Sequence, residues 1–244
     1  MAGLGPALAP AQRVAAAART VPLVVAVANV DIRNAAPAEA ARALAALEAD
    51  VLVTLETVKG FDGAEALLRA RYPHVVDRVV WVYTGNWLWS RTPVAEGRKE
   101  DGGPDWPDLV TGRVATREGV EVEVLGLHFR RPVTEPQTRQ IQAMAAIPPR
   151  RGPRIVLGDF NAAPWSAAVV EVARRLDVGP VGGLRPTWRM RGVSRGGLPG
   201  AVLSLPIDHI LVSPDIGVDW VRRFPIPGSD HDGLIARLQI PAPP

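Results

Sequence analysis

Two periods alternate along this chain. Short apolar runs at residues 23–28, 51–55 and 155–157 are dominated by Val, Leu and Ile and read as buried strands. Between the first two, Pro37 opens a helical pattern with Ala40, Leu44 and Leu47 at i, i+4, i+7, closed by Asp50. Strand, helix and strand in that order make a βαβ unit with parallel strands and a right-handed crossover. A second short helix is predicted over 64–71 and strand-like segments at 75–83 and 87–90. The charged, Gly- and Pro-containing stretch 96–106 reads as a loop. Residues 109–116 and 120–129 read as a hairpin turning at Glu118-Gly119, with Val120, Val122 and Val124 alternating. Thr134 and Gln137 fit a capping box for a helix through Ile141 and Met144 that stops near Pro148-Pro149. Ser166 starts a helix with Val169, Ala173 and Leu176 on one face. Residues 178–206 read mostly as loop, 207–212 as a strand and 234–240 as the last strand. The predicted class is α/β (α+β), with two mixed sheets packed face to face and helices outside.

Composition narrows the picture. At 244 residues and 47% hydrophobic content the chain can bury one large core, expected as a single domain over 21–244. The Ala/Pro-rich residues 1–20 read as a leader outside that core. The chain has no cysteine, which excludes disulfides, thiolate metal sites and a cysteine nucleophile. The formal charge is only +3, and Lys59 and Lys99 are the sole lysines. An arginine-dominated cation set suits bidentate phosphate contacts, and equally fits a genome-wide preference for Arg. No apolar run approaches the roughly 20 residues of a membrane span. Residues 1–20 lack the pattern of a signal peptide, so the chain as it stands is expected in the cytoplasm, as a monomer.

Candidate chemistry collects at the strand ends: Asn29, Asp31, Glu56, His128, Asp159, Asn161, Asp208, Asp230 and His231. In Gly158-Asp159-Phe160-Asn161 the glycine is expected to let the chain turn out of its strand. Asp159 and Asn161, two residues apart, can then point the same way and grip a water or phosphate oxygen near a cation. Each residue also has a plainer reading. Asp31 could form a turn, Glu56 could be a surface charge, His128 a satisfied strand histidine, and Asp208-His209 a strand cap. Trp165 and Trp188 are expected in core or rim packing.

Taken in order, these segments resemble the endonuclease/exonuclease/phosphatase superfamily, the DNase I-like metal-dependent phosphohydrolases, over about residues 21–244. Asn29 resembles the phosphate-site asparagine ending the first strand, and the run Asp50-Val51-Leu52-Val53-Thr54-Leu55-Glu56 resembles the strand that ends in the metal-binding glutamate. Leu127-His128 is similar to the phosphate-binding histidine strand, and Gly158-Asp159-Phe160-Asn161 to the aspartate-x-asparagine motif. Pro206-Ile207-Asp208-His209-Ile210 looks like the strand bearing the aspartate that orients the catalytic histidine, and Gly228-Ser229-Asp230-His231 like the terminal Ser-Asp-His motif. Two positions depart from the pattern: Leu55 replaces the usual Gln before the glutamate, and Gly233 replaces a common Pro.

The resemblance implies a four-layer DNase I-like sandwich. It implies that Glu56, with Asp31 and Asp230, holds Mg²⁺ or Mn²⁺, while Asn29, His128 and Asn161 donate to phosphoryl oxygens. His231, oriented by Asp208, would take the proton of the attacking water; alternatively Asp159 is the base and His231 stabilises the phosphate. Asn29-Val30-Asp31 and Leu55-Glu56-Thr57 echo the exonuclease III-like abasic-site nucleases. Asn161-Ala162-Ala163-Pro164-Trp165-Ser166 and Pro186-Thr187-Trp188 look closer to bacterial teicoplanin-resistance (VanJ-like) proteins associated with lipid pyrophosphates. The expected partner is therefore a phosphate-bearing small molecule or lipid pyrophosphate, with nucleic acid second. A degenerate, binding-only member is the non-enzymatic alternative. The Arg/Trp stretch 181–200 is the expected seat of specificity.

Overall fold

The computed structural model describes residues 19–58, 61–77, 84–100, 102–132, 134–190 and 204–243. Most of the 1–20 leader and of the 181–200 stretch from Arg191 on lies outside them. The core begins one residue before its expected start, with strand β1 (Thr20–Asn29).

The expected βαβ unit forms. Helix α1 (Pro37–Ala45) carries β1 into the parallel strand β2 (Val51–Val58), ending two residues short of Leu47. Helix α2 (Glu65–Arg71) follows, then β3 (His74–Val76) and β4 (Thr84–Ser90). Strand β5 (Val94–Glu100) occupies the first part of the stretch expected to be a loop. It is a sheet edge with a register shift between Ala95 and Arg98 and mostly exposed side chains, so it has no apolar alternation to betray it. The hairpin β6 (Asp108–Ala115) and β7 (Glu121–His128) forms as expected.

Helix α3 (Glu135–Ala143) is capped by the Thr134 hydroxyl accepting from Gln137 N. The reciprocal half of the expected box is diverted, since the Gln137 side chain donates to the carbonyl of Phe160 instead. After β8 (Arg154–Asp159) comes α4 (Ala167–Leu176), with Ser166 as its cap. Short strands β9 (Gly179–Pro180), β10 (Trp188–Arg189) and β11 (Ser204–Leu205) lie in the expected loop. Strand β12 (Asp208–Val212) precedes β13 (Gly217–Pro225), which the sequence pattern does not reveal, and β14 (Asp232–Pro241). A bulge between Val218 and Trp220 breaks the period of β13.

One sheet runs β13-β14-β1-β2-β4-β3 and the other β5-β6-β7-β8-β12-β9, both mixed. Val25, Val27, Val53, Val124, Ile155, Leu157 and Ile210 fill the space between the sheets. The alternate residues face outward: Ala26, Ala28 and Leu52 pack on α1 and α2, while Leu125, Leu127, Val156 and Leu211 pack toward α4. Helices, sheet, sheet and helices make the four layers. No helix among the described residues is long and apolar enough to cross a membrane.

Candidate active site

The site is the polar continuation of the inter-sheet core. On β1 the inward row Val25, Val27 ends in Asn29, and on β7 Val122, Val124 leads through Gly126 to His128. On β8 Ile155, Leu157 ends in Asp159, and on β12 Val212, Ile210 ends in Asp208. A period of two thus delivers four polar side chains into one gap between the sheets. His209, of opposite parity, faces outward; its Nε2 lies 2.7 Å from the carbonyl of Ala162 and its ring packs edge-on against Phe160. Burial holds its imidazole below the ordinary range.

Glu56 has the wrong parity for that gap, because Leu55 takes the inward place in the apolar core. A register shift between Thr54 and Thr57 and a left-handed backbone at Glu56 (φ 52°) re-aim it. Leu55, where a glutamine was the resemblance's norm, therefore packs between the sheets. Asp31 (φ 61°) and Asn161 (φ 49°) share the left-handed conformation, so three residues at this edge hold sparsely populated backbone.

Asn29 joins the two sides. Its Nδ2 donates to Glu56 Oε1 and to Asp159 Oδ2, each at 3.1 Å, and its Oδ1 accepts from Asp31 N. Glu56 Oε2 accepts from Ile32 N, and Asp31 Oδ1 from Arg33 N. Asp159 Oδ1 accepts from Asn161 N at 2.7 Å, and Asn161 Nδ2 donates to the Phe129 carbonyl. Asn29 and Asn161, expected to face phosphate, thus also brace the carboxylates and the loop. Gly158 does not turn the chain: it lies within β8, where any Cβ would run into the carbonyl of Leu127 on the neighbouring strand.

His231 Nδ1 lies 2.8 Å from Asp208 Oδ2, and its Nε2 lies 3.9 Å from both Asp159 Oδ2 and Asp230 Oδ1. His128 Nε2 is 3.9 Å from the same Asp159 oxygen and 3.7 Å from Glu56 Oε1. One carboxylate oxygen therefore faces two imidazole nitrogens across gaps too long for a hydrogen bond and wide enough for a bridging oxygen. Burial disfavours the His231 cation, but the charge and hydrogen bond of Asp208, then the charges of Asp159 and Asp230, outweigh it and raise the imidazole to about 10. Burial and the charge of Asp208 push Asp159 up to about 6 against the pull of both histidines.

Asp159, Asp208 and His231 offer ligand atoms within 4.8 Å of one another, a possible metal group; Asp31, Glu56 and Asp230 do not form such a group among the described residues. In the first group the Asp208–His231 hydrogen bond already engages Asp208 Oδ2 and His231 Nδ1. Glu56, its side chain 26% exposed beside Asn29 and the buried Asp31, offers oxygen at the open side. Carboxylate oxygens with room for water are the donors Mg²⁺ and Mn²⁺ take, so the donor chemistry fits such a cation.

Three neighbours escaped the sequence reading of the site. Asp108, the cross-strand partner of His128, puts Oδ2 3.8 Å from its Nδ1, and lay at the edge of the presumed loop. Ser229 donates to the Asn29 carbonyl and accepts from His231 N; its place in Gly228-Ser229-Asp230-His231 was the available signal. Thr187 is fully buried beneath Asp208. Trp165 is 61% exposed and belongs to no core. Gly233 is explained by Phe224, its partner on β13, whose ring fills the space of a Cβ.

The family model described as "Endonuclease/Exonuclease/phosphatase family" matches residues 26–231. No curated protein sequence matches the chain. Among solved structures, an endonuclease/exonuclease/phosphatase from Bacteroides vulgatus is 15% identical with a TM-score of 0.72, over 90% of this chain and 99% of the other. Sphingomyelinase C from Streptomyces griseocarneus is 17% identical with a TM-score of 0.66, over 89% and 99%. TDP2 from D. rerio, complexed with single-strand DNA product, is 18% identical with a TM-score of 0.70, over 89% and 98%. At these identities the likeness is one of fold.

Proposed function

The chain belongs to the endonuclease/exonuclease/phosphatase family, and from that premise we propose that it is a Mg²⁺- or Mn²⁺-dependent phosphoesterase hydrolysing a small or lipid-borne phosphoester or pyrophosphate. The observation that carries this reading is Asp159 Oδ2, 3.9 Å from the Nε2 atoms of both His231 and His128, with His231 paired to Asp208. Glu56 in β2, with Asp31 just after β1 and Asp230 just before β14, would hold the cation. When bound, it polarises a phosphoryl oxygen and offsets charge developing there.

The residues divide the remaining work. His231, its imidazole raised to about 10 by Asp208, carries its proton at neutral pH and cannot accept another. It serves as the preorganised cation facing the phosphoryl oxygen, with His128 opposite. Asp159, raised to about 6, is ionised at neutral pH yet basic enough to take the proton of the attacking water. Between the two readings of the base, this favours Asp159. The water oxygen bonds to phosphorus as the bond to the leaving group breaks.

Two features favour a small or lipid-borne substrate over duplex DNA. The formal charge is only +3, whereas extended duplex binding relies on many phosphate contacts. Exposed Ile32, Trp165, Leu184, Met190 and Leu205 sit on the segments that follow β1, follow β8 or flank β10 and β11. Apolar side chains there suit an acyl or prenyl chain better than a polyanion. This is also where the VanJ-like sequence features fall.

The test is a screen of the purified chain with Mg²⁺ or Mn²⁺ against a phosphomonoester, a phosphodiester, a vesicle-borne lipid pyrophosphate and an abasic duplex. Turnover that requires the cation and is highest on a small or lipid-borne ester is expected. Fastest cleavage of the abasic duplex would reverse the substrate ranking, and binding without turnover on any of them would leave a binding protein.

A further inference from the structure

Asp208 stands in a place where electrostatics works against it. Its partner across the β8–β12 ladder is Asp159, and like charges directly opposite in a sheet repel. On its other flank, β9 pairs only with Leu211 and Val212 and does not reach it. Asp208 Oδ2 is committed to His231, while Oδ1 is buried and accepts no hydrogen bond from the described residues. The carboxylate is therefore tethered at one oxygen only, and its direction depends on how the backbone beneath it is held.

On the flank away from β8, that backbone is held by one side chain. The Thr187 hydroxyl accepts from the amides of both Ile207 (3.2 Å) and Asp208 (3.1 Å), standing in for the missing strand neighbour. The Thr187 amide also donates to the Leu205 carbonyl on the aspartate's side, and the residue reaches the histidine's side: its carbonyl accepts from Asp232 N at 2.7 Å, and Trp188 bridges to His231. Arg189 closes the clamp. Its amide donates to the Asp230 carbonyl and its Nη1 lies 3.0 Å from Asp232 Oδ1, both side chains being buried. Residues 187–189 thus grip the chain on both sides of the dyad, and of the three Thr187 alone places a side-chain acceptor at the Asp208 amide.

We propose that Thr187 is a positioning residue for this reaction, holding Asp208 and the His231 segment in register so that the Asp208–His231 hydrogen bond keeps its direction. It touches no reacting atom and acts only through Asp208. This rests on the phosphoesterase reading for its kinetic arm, but not for its spectroscopic one.

Thr187→Val keeps the shape and removes the acceptor, and Thr187→Ser keeps the acceptor. With the ester that wild type turns over best, the valine variant should lose kcat by roughly 10–100-fold, the scale of a catalytic group displaced by about 1 Å, with KM little changed. The serine variant should recover most of the loss. Because the effect passes through Asp208, adding Thr187→Val to Asp208→Asn should cost almost nothing further. Full additivity in that double variant, or a serine variant as impaired as the valine one, would overturn the proposal. The downfield Nδ1 proton of His231 provides a readout independent of turnover. It should be seen in wild type and Thr187→Ser and be lost or shifted in Thr187→Val. An unchanged signal overturns the proposal even if wild type hydrolyses nothing, an outcome that would sink the phosphoesterase reading alone. If the valine variant does not fold, Thr187→Ala is measured in the same way.

Discussion

The two sides of the site solve opposite problems. On the His231 side, Asp159, Asp208 and His231 are buried, their charges face one another, and regular strands deliver the two aspartates. On the Glu56 side, the carboxylate is partly open to water and is brought in by a bulge and left-handed backbone. A dry site magnifies charge pairing and demands a partner for each ion, which here is the imidazolium. A wet site leaves a carboxylate able to share a hydrated divalent cation. Asn29 is the hinge of the comparison, since one amide donates to a carboxylate of each kind. The lesson is that a single strand end can serve two electrostatic environments when its side chain carries two donors.

The sharpest way to break the comparison is to remove the dry side's cation. His231→Gln should lower kcat by roughly 10²–10³-fold, the range for removing one preorganised donor to developing charge. His209→Gln should leave kcat near wild type and cost about 1–3 kcal/mol of stability, because its partner is a buried carbonyl. Steady-state kinetics and denaturant melts on the pair separate the two histidines. If His209→Gln is inactive and His231→Gln active, the dyad is wrong.

On the wet side, Glu56→Gln should weaken Mn²⁺ binding by tenfold or more, about 1.4 kcal/mol, in a calorimetric titration. The downfield His231 proton should stay unmoved, since Asn29 and His128 link Glu56 to Asp159 and not to the Asp208–His231 bond. Unchanged Mn²⁺ affinity would remove Glu56 from the cation site.

A smaller effect follows from pH. With Asp159 raised to about 6 and His231 to about 10, turnover should rise as pH passes the first value and fall as it passes the second. Both shifts are upward, so the folded state holds protons that the unfolded chain has released. The stability each contributes is complete below the group's ordinary pKa and is lost as pH rises through its folded value. Melting temperature of the cation-free protein should therefore fall between neutral pH and about 10. His231→Gln should flatten that slope, and a slope identical in the variant would mean that His231 is not the titrating group.

Much of this was legible in the chain. Runs such as Ile155-Val156-Leu157 are legible because they are short, largely β-branched and followed by Gly, which together favour a buried strand over a helix. The pattern failed where burial is one-sided or interrupted. Strand β5 is an exposed edge of Glu, Gly, Arg and Lys, and β13 is broken by its bulge. Gly158 was legible as special and its reason was not, since the obstacle is a carbonyl on another strand.

By itself the sequence determined the parity of the site. Asn29, His128, Asp159 and Asp208 each fall an even number of residues from an inward apolar position, so any fold that buries those rows must bring the polar ends to one edge. It also determined that His209 could not share that edge with Asp208. Only the tertiary structure decided which partners meet there. The Asp208–His231 bond spans 23 residues, the Asn29–Asp159 bond 130 and the Ser229–Asn29 bond 200. The bulge that turns Glu56 inward and the ladder that sets Asp208 against Asp159 depend on neighbouring strands. Periodicity is a property of one strand and survives in the sequence. Direction, charge coupling and the clamp by Thr187 are properties of strands against one another, and arise only when the two sheets close.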